Sequence, residues 1–520
     1  MTLRSARWTP GAGRGPRSAS ASWPVEPLPE RGLGGLLAEV PAAADEPLVH
    51  EGTTVTVTRA GVEASVDALA AVLAGLGIGA GHAVVVALPN GVGIVAALFA
   101  VWRVGAVYVP VNPRSTPGEA THVVAEVGPV AAVTTPDLAD RFPLPVIVAD
   151  EGGWTTDAGG PVDGERRDED IAAISFTSGT TGRPKPVLMR HSGVLELIDG
   201  VIGSLRTKPT DGPPRPPMPN LIPVSMSLWA GIYQVLFAFR VGAPIVILPR
   251  FETGAFAAAV RRFGIRSTVL PPPAMAMLSD DTAITDLAPL RYVRSISSPL
   301  SPLQARRFRD RFGIAVLNGW GQTEIGGEIV GWSAADSKVF GETKLGAVGR
   351  PHTGVTIKVN EDGELWVRTP SLSAGYADGA DLSDRMSPDG WFRTGDVGRV
   401  DADGFVWIEG RVSDMINRGG LKVFPAEVAE VLLLSPAVAD AAVVGVPDDR
   451  LGEVPWAFVV PGAGAAEPSE DELAGLCREH LAPYKVPVRF VTVDELPRND
   501  IGKVLTRDLV TRATALREGD

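Results

Sequence analysis

The chain has 520 residues, 45% of them hydrophobic, enough for a large core and for more than one domain. Its 48 Lys and Arg against 61 Asp and Glu leave a formal net charge of −13. That balance argues against nucleic acid or an anionic membrane as the main partner, and any phosphate site must supply its own local positive charge. The lone cysteine, Cys477, excludes a disulfide framework and a thiolate-built metal site, and it reads as a small core residue. No window of about 18 apolar residues free of charge is present, so no membrane-spanning helix and a cytoplasmic location are expected.

Residues 1–31 are rich in Arg, Pro, Gly and Ser and read as a disordered tail. From about residue 33 the pattern becomes regular. Residues 62–76 and 91–104 have helical spacing, 83–88 and 106–113 read as strands, and another helix and strand follow to Thr134. Such alternation predicts an α/β fold with a mostly parallel sheet. Residues 150–170 read as an acidic, glycine-rich loop, and 206–219 as an exposed irregular insert. Ile171–Phe176 is a short apolar run with β-branched residues, a buried strand. Beyond it, Thr177, Ser178, Gly179, Thr180 and Thr181 offer hydroxyls and backbone close to a ligand, and Lys185 adds a point charge. A plain polar turn between two strands fits the same residues. The Arg183-Pro184-Lys185-Pro186 run forbids the helix that a Walker loop opens, so this is no P-loop NTPase site.

Thr-Ser-Gly-Thr-Thr-Gly-x-Pro-Lys resembles the signature loop of the adenylate-forming enzymes, the superfamily of acyl-CoA synthetases, peptide-synthetase adenylation domains and beetle luciferases. Further motifs match in the family's order. The resemblance implies that Ser298 and Pro299 line the adenine. In Asn318-Gly-Trp-Gly-Gln-Thr-Glu-Ile, which follows a predicted strand at 314–317, Trp320 stands where the family has tyrosine and could stack on adenine. Thr323 would then donate to the α-phosphate, and Glu324, with Thr180, would hold Mg²⁺. Asp396, closing Asp389-Gly-Trp-Phe-Arg-Thr-Gly-Asp396, would accept from the ribose hydroxyls, and Arg411 would reach the ribose and phosphates. An ordinary turn aspartate is the plainer reading of Asp396.

The family hinge falls two residues after Arg411, at Ser413 instead of the usual Asp or Lys. Gly419-Gly420 reads either as a segment facing the site after rotation or as a tight hairpin turn. Lys503, in Leu496-Pro-Arg-Asn-Asp-Ile-Gly-Lys, matches the catalytic lysine; outside that context it would be a solvated surface residue. Met226, Trp229, Gly319 and Ile325 are the acid-pocket candidates. No aspartate lies between Pro223 and Gly231, so the ammonium of an amino acid would be buried without a partner. No histidine lies there either. A bulky apolar acid is expected, although plain core packing also accounts for Met226, Leu228 and Trp229.

The resemblance thus implies a large N-terminal domain at 32–410 with mostly parallel sheets flanked by helices. A small mobile α+β C-terminal lid would follow at 411–520. The reaction would be acyl-adenylate formation from ATP with Mg²⁺, then transfer to coenzyme A. The partners are small molecules, with no nucleic acid and no integral membrane association, and a homodimer is left open. Three rivals stay open: an adenylation-only enzyme that hands its product to a separate transferase, a luciferase-like oxygenase, and a non-catalytic nucleotide-binding module.

Overall fold

The computed structural model describes residues 32–150, 153–177, 184–205, 217–296, 298–462, 467–498 and 504–518. The tail at 1–31, most of the insert at 206–219, and Ser178, Gly179, Thr180, Thr181 and Lys503 lie outside them. Apolar strands with helices between them build an α/β body. Its widest sheet has seven strands, with Ala83–Ala87 at the centre between Val107–Pro110 and Ala131–Thr134. Pairing is parallel from Val146–Asp150 across to Ile171–Phe176, and antiparallel only at the two edges. Helices Arg59–Gly75 and Val92–Arg103 turn buried Val, Ile, Leu and Phe onto this core.

The expected helices and strands up to Thr134 sit within a few residues of their predicted bounds. The expected loop at 150–170 is partly strand: Gly153–Thr156 adds antiparallel to Val146–Asp150 at the sheet's edge. Trp154, Thr155 and Thr156 are strand-favouring residues whose run is hidden in the sequence by the glycines before it.

A second sheet of five strands contains Tyr292–Ser295 and Ala315–Gln322 in parallel, then Gly327–Gly331 folded back antiparallel. The strand expected to end at residue 317 therefore runs on to Gln322, carrying most of the signature octamer within it. A third sheet holds Phe392–Val400 and Val406–Arg411. After Arg411 the chain passes through the turn Val412–Asp414 into another sheet, which begins at Ile416–Arg418. That C-terminal sheet closes its own core from Ile416, Val428, Leu432, Ala457 and Cys477. Gly419 and Gly420 form a two-residue hairpin turn at φ 61° and 91°, a conformation glycine reaches without strain.

Candidate active site

The Ala315–Gln322 and Gly327–Gly331 strands form a hairpin around which the site is built. Side chains alternate across a strand, so Trp320 and Gln322 share one face. Gly321 must be glycine, because a Cβ there would lie 1.7 Å from the Gly327 carbonyl oxygen. The turn between the strands holds Thr323, Glu324 and Ile325 in one 3-10 turn, closed by Gly326 at φ 86°.

On the Trp320 face lies Asp396, 3% exposed, on the strand Phe392–Val400. Trp320 Nε1 donates to Oδ2 at 2.8 Å and Gln322 Nε2 to the same oxygen at 2.7 Å. Arg411 stands directly opposite Asp396 in the strand register, with Nε 2.9 Å from Oδ1. A buried carboxylate is stable only with such charged and hydrogen-bonded partners. An ionised carboxylate offers about four lone-pair positions, so room for a ligand hydroxyl remains mainly on the Arg411 side. Trp320 is 9% exposed and packed into the core, so the indole contributes its N–H edge to Asp396 and shows little free ring.

Glu324 meets two groups that local sequence reasoning missed. Arg385 Nη1 donates to Oε1 at 2.8 Å, and the Tyr376 hydroxyl lies 3.5 Å from the same oxygen. Arg385 also bonds the Thr394 carbonyl at 2.8 Å and Gln322 Oε1 at 3.3 Å, joining the Glu324 and Asp396 groups into one network. Burial, and then the Glu324 charge, push the Tyr376 hydroxyl above its ordinary pKa. Lys185 is exposed, with Nζ 5.2 Å from the Tyr376 ring centroid. The strands Ile171–Phe176 and Pro186–Arg190 pair antiparallel, and the Thr177 N–H donates to the Lys185 carbonyl at 3.0 Å. The ends of the signature loop are thereby pinned together beside Tyr376. Ser298 and Pro299 follow the strand Tyr292–Ser295, half-buried and exposed respectively.

The expected acid wall is the helix Trp229–Arg240 and the loop before it. Asn90 fixes that loop with its whole amide: Nδ2 donates to the Val224 and Leu248 carbonyls at 2.9 and 3.0 Å, and Oδ1 accepts from Met226 N–H at 2.8 Å. The Trp229 indole N–H donates to the Gly326 carbonyl at 2.9 Å, so the wall touches the turn that carries Glu324. Met226 and Ile325 are fully buried in the main core. Ser413 is exposed, and its hydroxyl donates to Asp414 Oδ1 at 2.8 Å.

The sequence model of the AMP-binding enzymes matches residues 38–377, and that of the AMP-binding enzyme C-terminal domain matches 427–503. The chain belongs to the AMP-binding enzyme family. It is 31% identical over 502 residues to 4-coumarate–CoA ligase 5 of Oryza sativa subsp. japonica, covering 90% of this chain and 92% of that one. It is 29% identical to the peroxisomal OPC-8:0-CoA ligase 1 of Arabidopsis thaliana, with 87% of each covered.

Among solved structures, o-succinylbenzoate CoA synthetase of Bacillus subtilis with its acyl-adenylate is 26% identical. It superposes with a TM-score of 0.79 over 91% of this chain and 97% of that one. The amide bond synthetase of Marinactinospora thermotolerans is 28% identical, with a TM-score of 0.80 over 93% and 100%. This AMP-binding enzyme is an AMP-forming acid–thiol ligase of mixed α/β fold, with a large N-terminal and a smaller C-terminal domain. Among the described residues, no helix is long and apolar enough to cross a membrane.

Gln322 was within reach of sequence reasoning, since it lies two residues from Trp320 inside the matched octamer. Arg385 and Tyr376 were not, because their link to Glu324 spans 61 and 52 residues.

Proposed function

We propose that this enzyme activates a carboxylic acid of mainly apolar body with ATP, releases pyrophosphate, and passes the acyl group to coenzyme A. The observation that carries the reading is Asp396, a buried carboxylate gathered by Trp320, Gln322 and Arg411 beside the turn that holds Glu324. Ribose hydroxyls would approach Asp396 on the Arg411 side. Thr323 and the hydroxyls of residues 177–181 would face the phosphates, with Lys185 at the loop's base. Glu324 would offer magnesium one carboxylate oxygen among phosphates and water, and Thr180, outside the described residues, is the second proposed ligand. Among the described residues, no group of three or more His, Cys, Asp or Glu could hold a metal alone. A bound Mg²⁺ would supply neutralising charge to the phosphates.

In the first step a carboxylate oxygen attacks the α-phosphorus, and the bond to the β-phosphate oxygen breaks. Two anions meet there, so orientation and positive charge dominate the barrier. Lys503 is assigned the bridging charge. In the second step a thiol sulfur attacks the acyl carbon, and AMP leaves. We place the body at 32–410 and the lid at 411–520. The pivot near Ser413 would withdraw Lys503 between the steps. The acid wall would be Met226 and Trp229 with Gly319 and Ile325 opposite.

The test is ATP–pyrophosphate exchange over a panel of acids, followed by mass detection of thioesters. Lys503→Ala is expected to lower exchange by roughly a hundred- to thousand-fold while largely sparing thioester formation from supplied acyl-adenylate. Equal loss of both half-reactions would remove the two-state role of Lys503. A second reading, transfer to an amine, is favoured by the likeness to an amide bond synthetase. Amide product formed in the presence of both acceptors, with no CoA thioester, would select it.

A further inference from the structure

Charge is spread unevenly along this acidic chain. Residues 250–311 hold ten arginines and no lysine against five carboxylates, although the whole chain carries −13. Some of these arginines have partners: Arg294 pairs with Glu328, Arg307 with Asp280, and Arg309 with Asp310 and Glu342. Arg261, Arg262, Arg266 and Arg291 are exposed and form no ion pair among the described residues. The backbone gathers them at one edge. Arg261 and Arg262 end the helix Thr253–Phe263, Arg266 precedes the strand Ser267–Val269, and Arg291 precedes Tyr292–Ser295. Those two strands pair in parallel, and the Arg291 and Tyr292 N–H groups both donate to the Arg266 carbonyl, at 2.9 and 3.2 Å. Cations in the last turn of a helix complement its dipole, which gives Arg261 and Arg262 a local reason to be there. Arg266 and Arg291 have none. They start neighbouring strands about 4.8 Å apart, and like charges set side by side repel.

The complementary charge lies elsewhere on the same chain. Residues 157–170 hold six carboxylates and two arginines. Both arginines are turned onto backbone: Arg166 Nη1 donates to the Ala80 carbonyl at 2.9 Å, and Arg167 Nη2 to that of Val127. His82 and Arg166 form an isolated bridge, and the Arg167 N–H donates to the Gly81 carbonyl at 2.9 Å, so the loop is fixed against the start of Ala83–Ala87. Asp157, Asp163, Glu165, Asp168 and Glu169 are exposed and form no ion pair among the described residues. The loop leads into the start of Ile171–Phe176, whose far end leads to Thr177. Arg291 likewise precedes a strand whose far end leads to Ser298. Both patches therefore lie at strand starts, away from the strand ends that lead to the candidate site.

We propose that the chain pairs with a second copy of itself, the arginine rim at 261–291 of each copy receiving the acidic loop 157–170 of the other. Each copy offers one patch of either sign, so two symmetric contacts close a two-fold pair. Guanidinium groups suit this contact because they bind carboxylates through two parallel hydrogen bonds. Two copies at −13 repel each other at long range. At about 0.1 M salt the Debye length is about 10 Å, so that distant repulsion is screened while groups in contact are not. None of the large exposed apolar residues belongs to either patch. The pairing is therefore held by charge, reversible and sensitive to salt. The same lack of apolar side chains sets the rim apart from a surface that inserts into a membrane. The inference goes beyond the adenylation reading and does not depend on it.

Sedimentation velocity on the full chain is the test. A dimer is expected at about 0.1 M salt and a monomer at about 0.5 M. Arg266→Glu with Arg291→Glu is expected to weaken pairing by at least about a hundredfold, because like charges then face each other. Glu165→Arg with Glu169→Arg is expected to do the same from the other side. All four changes in one chain make the signs opposite again and are expected to bring the dimer back. The four residues are exposed, so the thermal unfolding midpoint should move little in any variant, which shows that each has folded. A wild-type chain that stays monomeric at about 0.1 M salt up to about 100 μM would overturn the inference. So would a dimer that survives about 0.5 M salt or either reversal, species that grow beyond a dimer, or a fourfold variant that fails to pair. A monomer that binds vesicles about one-third phosphatidylserine, and loses that binding with Arg266→Glu and Arg291→Glu, would overturn it as well and assign the rim to anionic lipid.

Discussion

The two faces of one hairpin meet two buried carboxylates under different constraints. Asp396 is 3% exposed, but its cation, Arg411, has a side chain 39% exposed, and Arg385 beside it is 28% exposed. On the other face, Glu328 is held by Arg294 and His352, both nearly sealed from solvent. A carboxylate whose counter-charge reaches water can exchange that partner for a ligand at small cost. One whose counter-charge is sealed cannot, because an unpaired buried ion is too unfavourable. The first group is therefore suited to a ligand that comes and goes, and the second to holding shape.

Substitution separates the two faces. Glu328→Ala strands Arg294 without its counter-ion and is expected to lower unfolding free energy by about 3–5 kcal/mol in a denaturant titration. Asp396→Asn keeps shape and most hydrogen bonds, so stability should shift by no more than about 1 kcal/mol. Its cost should appear as roughly a hundred- to thousand-fold loss in ATP–pyrophosphate exchange. If Asp396→Asn proved the more destabilising change, the contrast between the faces would fail.

A half-buried histidine away from both faces calibrates the comparison. His191 accepts from the Leu33 N–H at 3.1 Å through Nδ1, and burial lowers its pKa from 6.5 to about 4, against a smaller opposing pull from Asp170. Its folded-state pKa is depressed, so the neutral ring is the stabilising form. That contribution is complete above pH 6.5 and is lost as pH falls from 6.5 towards 4, by about 3 kcal/mol in all. His191→Gln should flatten stability against pH across that window, as read by denaturant midpoints. The smallest expected effect is at Arg385. Arg385→Gln removes the cation from Glu324 and should change the Mg²⁺ concentration for half-maximal exchange by only a fewfold, because the pair is partly exposed to solvent.

Much of this was legible in the sequence because it is local. Ile171–Phe176 reads as a buried strand from its own residues and is one. The octamer at 318–325 names Trp320, Thr323 and Glu324 without reference to any other segment. What stayed hidden is long-range. Arg294 and Glu328 meet across 34 residues, and His352 joins from 24 residues further on. Nothing around Glu328 distinguishes it from a solvated strand residue until Gly319 and Gly331 are seen to open space for it. The Trp320 contact is long-range too: an indole reads as a stacking surface, and only the fold brings Asp396 to its N–H.

The hydrogen bond from Trp229 to Gly326 ties the proposed acid wall to the turn that presents Glu324, because Gly326 closes that turn. Whatever leans on that indole also leans on the turn that carries Glu324. If the proposed roles hold, binding on one side of that turn would bias binding on the other through the shared hydrogen bond.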